Sequence, residues 1–183
     1  ILIQGMGNNE IFGNVDSIKI DKSNENEIYA NVSKLILRNG GAKILNASIK
    51  EIESYSSNVV LENSIINEAN IEKGNLYAME NEFDGNASFN DCNAQLLNSK
   101  FKSSHINVVN SRFYASNDEF YNKSHVEICS SEGNISNSKF HQNDFALEID
   151  GNVTIYNCSF YENDIGICAS EGEIMKGKIF NNS

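Results

Sequence analysis

Along Val153-Thr-Ile-Tyr-Asn157 apolar and polar side chains alternate, and the alternation then slips by one place, because Phe160 lies an odd number of residues beyond Asn157. Alternation is the signature of a strand with one buried face. A slip of phase inside three residues marks a bend followed by a new strand, and Asn tolerates the left-handed backbone that such a bend demands. The same phrase stands twenty residues earlier, in Ile135-Ser-Asn137-Ser-Lys-Phe140.

Written as apolar, any, Asn, any, any, Phe or Ile, the pattern occurs eight times. Its central place is filled by Asn46, Asn63, Glu80, Asn98, Asn117, Asn137, Asn157 and Lys176, at intervals of 17 to 20 residues. Two residues earlier stand Ile44, Leu61, Ala78, Leu96, Ala115, Ile135, Ile155 and Ile174; three residues later stand Ile49, Ile66, Phe83, Phe101, Phe120, Phe140, Phe160 and Ile179. A helical hairpin repeat needs more than about 30 residues, so each unit is read as one turn of a solenoid. The expected fold is all-β: a right-handed, single-stranded parallel β-helix of about ten turns, each of 17–20 residues. Turns stacked about 4.8 Å apart make the apolar columns continuous ribs. Asn46, Asn63, Asn98, Asn117, Asn137 and Asn157 then form a structural ladder of amides, each donating to one neighbour and accepting from the other.

Residues 1–41 read as irregular first turns, with short strands such as Ser17-Ile-Lys-Ile20 between polar turns, and 42–183 as the regular repeats of the same single domain. Beyond Asp91 the turns lengthen. Residues inserted into a solenoid gather in loops on one side. The chain begins at Ile1 and stops in mid-phrase at Phe180-Asn-Asn-Ser183, which reads as a segment of a longer protein whose open last turn associates end to end.

The lengthened side carries Asn143, Asp144, Asn163 and Asp164, and Glu148 and Asp150 follow in the next strand. These six are the candidate binding residues. Glycoside hydrolysis needs two carboxylates roughly 5 to 9.5 Å apart, and elimination needs Ca²⁺ with a basic residue beside the acids. The stretch from His141 to Cys168 holds no Lys or Arg, so no catalytic residue is assigned. No cofactor is expected beyond a weak Ca²⁺ site at Asn143 and Asn163. His105, His125 and His141 share no third ligand. Cys92, Cys129, Cys158 and Cys168 lack metal or redox spacing. Cys129 and Cys168 occupy matching phrases two turns apart, roughly 9.6 Å, too far for a disulfide.

A net charge of −11 argues against nucleic acid and anionic membrane as partners, since both are bound through clustered Lys and Arg. No apolar run is long enough for this segment to insert into a membrane. The phosphate-loop, dinucleotide and nucleophile-elbow motifs do not occur.

The spacing Phe-x-x-Asn recurs at Phe83-Asp-Gly-Asn86, Phe140-His-Gln-Asn143 and Phe160-Tyr-Glu-Asn163. In it the chain resembles right-handed parallel β-helix proteins of the NosD-like and pectate-lyase-like kind. It also partly resembles the passenger domains of chlamydial polymorphic membrane proteins, which repeat Phe-x-x-Asn together with Gly-Gly-Ala-Ile; Gly40-Gly41-Ala42-Lys43-Ile44 departs from that by an inserted Lys. The resemblance spans residues 42–183 and implies the fold and an extracellular or cell-surface setting. Such helices serve as lyases, hydrolases, tailspikes, adhesins and spacers. The expected function is a structural or adhesive stalk without catalytic activity, with a carbohydrate or a cell-surface receptor as partner; the alternative is a polysaccharide-binding or polysaccharide-degrading β-helix.

Overall fold

In a computed structural model, residues 1–5, 7–170, 173–175, 177–180 and 182 are described, 173–175 by their backbone alone. Among the described residues there is no helix. Twenty-two strands of described residues pair in parallel throughout, each with its counterpart one turn on, as a β-solenoid. The central coil shows the plan: Asn93–Leu97 forms a first face, Lys100–Lys102 a second and His105–Val109 a third, with a corner after each.

Backbone register joins the repeated apolar positions into ribs. Val15, Val32, Ile49, Ile66, Phe83, Phe101, Phe120, Phe140, Phe160 and Ile179 form one unbroken column, one residue per coil, so there are about ten coils. Five of these are stacked phenyl rings, with centroids 4.6, 4.8, 4.6 and 4.7 Å apart from Phe83 to Phe160. All five are essentially sealed from solvent. Each ring therefore adds area burial and a ring contact, the latter stabilising by about 0.5–1.5 kcal/mol. Further ribs run through Ile44, Leu61, Ala78 and Leu96 on the first face and through Ile106, Val126 and Leu147 on the third. Where Phe113 fills the first face, the next coil has Gly133; a Cβ there would lie 1.8 Å from the Phe113 carbonyl oxygen.

The first corner is turned at Asn46, Asn63, Glu80, Asn98, Asn117, Asn137 and Asn157, all left-handed with φ between 48° and 58°. This is the bend read from the slip of phase, and it explains why the column favours Asn. Lys176, the last residue read into that column, lies outside the described residues.

All lengthening of the turns falls at the third corner. Ile49 and Ile52 are three positions apart and face the same interior, whereas Phe140 and Leu147, their equivalents further along, are seven apart. The wide corners have acquired left-handed residues of their own, Ser103, Asn122, Lys123, Gln142 and Glu162.

In two places the coil differs from the sequence reading. Regular stacking reaches back before residue 42: Glu10–Asp21 lies on Asn26–Arg38 in register, with Ile11 on Ile28 and Ile20 on Leu37. The Asn template is missing there because these strands run through the first corner without its left-handed Asn. Cys129 and Cys168 do not share a column. Cys129 pairs in register with Asp150, and Cys168 with Glu148, because a register shift after Cys129 offsets the two phrases. All four cysteines are free.

The inside-outside assignment is open to a direct check. Phe140→Ala should cost about 3–5 kcal/mol, as for other buried rings, and Asp144→Ala, on an exposed corner, about 0.5 kcal/mol or less. Chemical denaturation of the two variants reads the difference; equal losses would contradict the placement of the rib.

Candidate functional site

Many corners turn one backbone N–H into the interior, and its acceptor there is a small polar side chain of the following coil. After the first corner the N–H of Ala47 donates to Ser64 Oγ (3.1 Å), Ser64 to Asn81 Oδ1 (2.9 Å), Asn81 to Ser99 Oγ (3.3 Å), Ser99 to Asp118 Oδ1 (2.6 Å) and Asp118 to Ser138 Oγ (3.1 Å). After the second corner the same bond joins Gly40 to Ser57, Cys92 to Ser111 and Ser111 to Ser131. After the third it joins Ser104 to Ser124, Ser124 to Asn143, Asn143 to Asn163 and Asn163 to Asn182.

This decides what two of the candidate residues do. Asn143 and Asn163 are each 2% exposed. The Oδ1 of each accepts the N–H of the preceding coil, and its Nδ2 donates to a carbonyl of the same interior, Phe120 for Asn143 and Phe140 for Asn163, at 3.1 and 3.0 Å. The Ca²⁺ site expected from these two residues therefore lacks their side-chain oxygens, which face the core and are already bonded. Among the described residues no group of three or more His, Cys, Asp or Glu is placed to hold a metal ion.

The other four candidates separate into two pairs. Asp144 and Asp164 point out of the third corner on successive coils, next to the buried Asn in each case. Glu148 and Asp150 lie on the third face. Glu148 stands between Glu127 and Cys168 in register, with the His125 imidazole 3.9 Å away, and Asp150 accepts a hydrogen bond from Ser170 Oγ at 2.8 Å. His105 and His125 do follow one another in one column, with ring centroids 5.0 Å apart and planes tilted by 44°, and His105 pairs with Glu127 at 3.3 Å. Burial, and then the neighbouring His105, hold the His125 imidazole below its ordinary pKa. His141 belongs elsewhere, to an outward stack on the second face that runs Tyr121, His141, Tyr161, Phe180. One cation near the acidic corner escaped the sequence reading: Lys123, whose N–H bonds the Gln142 carbonyl, is brought there from the preceding coil.

The exposed ladder of corner amides is discontinuous. Asn63 donates to Asn46 at 2.7 Å and Asn157 to Asn137 at 2.8 Å, while Glu80 stands between Asn63 and Asn98. Asn117 keeps the same left-handed corner.

The three faces differ in charge. The third carries Lys34 bridged to Glu51 and Glu53, then Glu68, Glu127 and Glu148. The second alternates sign along the axis, Glu82, Lys100, Glu119, Lys139. The first is uncharged in its middle: Asn75–Met79 and Asn93–Leu97 contain no ionisable group but Tyr77, between the pairs Lys43–Glu62 and Arg112–Glu132 on the flanking coils. There Tyr77 and Tyr114 stand exposed on either side of Gln95 in one column, and Asn58, Asn75 and Asn93 form the column beside it, Asn75 donating to Asn58 at 2.7 Å. A concavity of about 770 Å³ opens on this face where Gly41 takes the place of the next Asn; Asn9, Asn24, Asn58 and Val60 are among its walls.

No family model matches the chain, and no curated protein matches it. A solved structure to which it is similar is that of full-length QnrB1, a plasmid-mediated fluoroquinolone resistance protein. The two are 10% identical, over 97% of this chain and 94% of that one, with a TM-score of 0.30. A superposition that loose has no bearing on what this chain does.

The buried ladder has a measurable weight. Asn143→Ala removes the acceptor of Ser124 N–H and the donor to Phe120, and should cost about 1–3 kcal/mol. Asn143→Ser, which restores the residue type found one coil earlier, should lose less. Denaturation midpoints for both variants provide the check, and an alanine variant as stable as the parent would remove the ladder from the account.

Proposed function

We propose that the chain is an adhesive β-solenoid stalk that binds an uncharged glycan along its first face. The observation that carries this reading is a patch of the first face, Asn75–Met79 and Asn93–Leu97, that is rich in amides and has no ionisable group but Tyr77, with exposed Tyr114 on the next strand, on a chain whose net charge is −11. Contact surfaces are depleted in charge and enriched in Tyr, which offers a large rigid contact with a polar tip. Ring, amide and ring alternate along the axis at Tyr77, Gln95 and Tyr114. A sugar chain presents apolar C–H faces and hydroxyl edges, and this row can match both. The concavity at Gly41 adjoins the same face and is walled by further amides together with Glu10, Glu25, Glu27 and Lys43.

Descent from NosD-like or pectate-lyase-like helices, or from polymorphic membrane protein passengers, belongs to the same proposal. Its support is the Phe-x-x-Asn spacing, in which the Phe builds the core stack and Asn143 and Asn163 build the buried ladder, although Asn86 of the third copy is exposed. The extracellular or cell-surface setting is likewise proposed.

Two experiments test the reading. On an array of neutral and acidic polysaccharides the chain should bind neutral ones, and Tyr77→Ala with Tyr114→Ala should weaken that binding at least about tenfold, the equivalent of 1.4 kcal/mol, with melting unchanged. Binding confined to acidic sugars, or indifferent to both tyrosines, would count against it. For location, Cys168 is the exposed thiol of the four. A membrane-impermeant maleimide should label it on intact source cells; labelling only after lysis would place the protein inside.

A further inference from the structure

Asp118 occupies a place in the buried ladder that its neighbours fill with neutral donors. It is 1% exposed. Its Oδ1 accepts the Ser99 N–H at 2.6 Å, and its Oδ2 is buried with no hydrogen-bond partner. Ser64, Asn81, Ser99 and Ser138 accept from the preceding coil and also donate to the carbonyl two residues before themselves, the serines through one hydroxyl and Asn81 through its two amide atoms. Ser64 donates to Glu62 O at 2.9 Å, Asn81 to Met79 O at 3.0 Å, Ser99 to Leu97 O at 3.2 Å, Ser138 to Ser136 O at 2.8 Å, and Cys158 to Tyr156 O at 3.5 Å. For Asp118 that carbonyl is Ser116. A carboxylate has nothing to donate; a carboxylic acid has.

Among the described residues the surroundings supply no countercharge. Lys100 and Lys102 on the coil before, Arg112, Tyr114, Glu119 and Tyr121 on its own, and Glu132, Lys139 and His141 on the coil after all stand on outward positions. Facing it inside are Ser99, Ser138 and, further along, the Cys158 thiol, whose own pKa burial pushes up. An isolated buried carboxylate is costly enough that such a group takes up a proton instead.

We infer that Asp118 is held in the folded coil as a neutral carboxylic acid, a proton-bearing rung that makes formation of the solenoid proton-linked. Burial raises its pKa to about 7, although backbone hydrogen bonds pull the other way. The folded state therefore keeps a proton that the unfolded chain gives up near its ordinary carboxylate range. The stabilisation is fully present below roughly pH 4, is lost as pH rises through the folded value, and leaves a constant deficit above it.

Equilibrium unfolding of the full chain and of Asp118→Asn between about pH 4 and 8 tests this. Asn supplies accept-and-donate chemistry without titrating, as Asn81 does in the same column. The folding constant of the parent relative to the variant should fall about tenfold per pH unit between roughly pH 4 and 7 and then level off. Asp118→Ser, with the residue type of the adjacent rungs, should show the same relative slope, so that the test stands even if one variant folds poorly. Difference infrared spectroscopy at about pH 6 should show a protonated carboxyl band in the parent that is missing from both variants. Parallel stability curves, or no acid band, would overturn the inference.

Discussion

An amide that turns inward at a corner has to find an acceptor in a place where water does not reach, and this coil meets that demand with a side chain at all three of its corners. Leaving such a group unbonded costs about 1–3 kcal/mol, and with so many corners the fold could not carry the loss. The solution is repeated at Ser64, Ser111 and Ser124: a short polar side chain just past the bend accepts from the coil before and donates to a nearby carbonyl. The apolar ribs supply most of the driving force, but the corners decide where each strand ends and which residue enters the core next.

The apolar columns were legible in the sequence because they repeat the same kind of residue at a nearly constant interval, and the left-handed corner was legible because Asn46, Asn63 and their successors mark it. The buried ladder was not. Its first-corner column reads Ala47, Ser64, Asn81, Ser99, Asp118, Ser138, Cys158, which shares small size and, in most members, a polar atom rather than any residue identity. The signal was present one place after the Asn column, as the lack of any large side chain. At the third corner the sequence reading put Asn143 and Asp144 together as a binding pair, yet the bend at Gln142 sends one inward and its neighbour outward. Adjacency in the chain is poor evidence of a shared surface next to a left-handed residue. Lys123 shows the converse, since residues about one coil apart in sequence are neighbours along the axis.

Segregation of charge by face follows from the same geometry. Outward residues at one register position stack along the axis, so a column of like residues becomes a continuous stripe instead of scattered points. On the second face opposite charges alternate within the stripe, which relieves repulsion between coils. On the third face Lys34 neutralises two carboxylates at one end, and His105 and His125 meet two more further along. On the first face Lys43 pairs with Glu62 and Arg112 with Glu132, and the strands between them, Asn75–Met79 and Asn93–Leu97, present amides and Tyr77 instead of paired charges.

The third corner keeps one width in the first coils and then widens coil by coil from Phe83 to Phe140, so that neighbours along this stretch differ in width. In an array of identical repeats a coil can form against the wrong neighbour and gain nearly every contact, which is a known hazard of folding such chains. Here a coil that closes with three positions between its ribs cannot cover one that closes with seven without leaving inward amides of the wider one unmet. The difference acts as an address, readable only when neighbours in sequence are neighbours in space, and it turns a feature that looks like drift in the repeat length into a safeguard against slipped assembly.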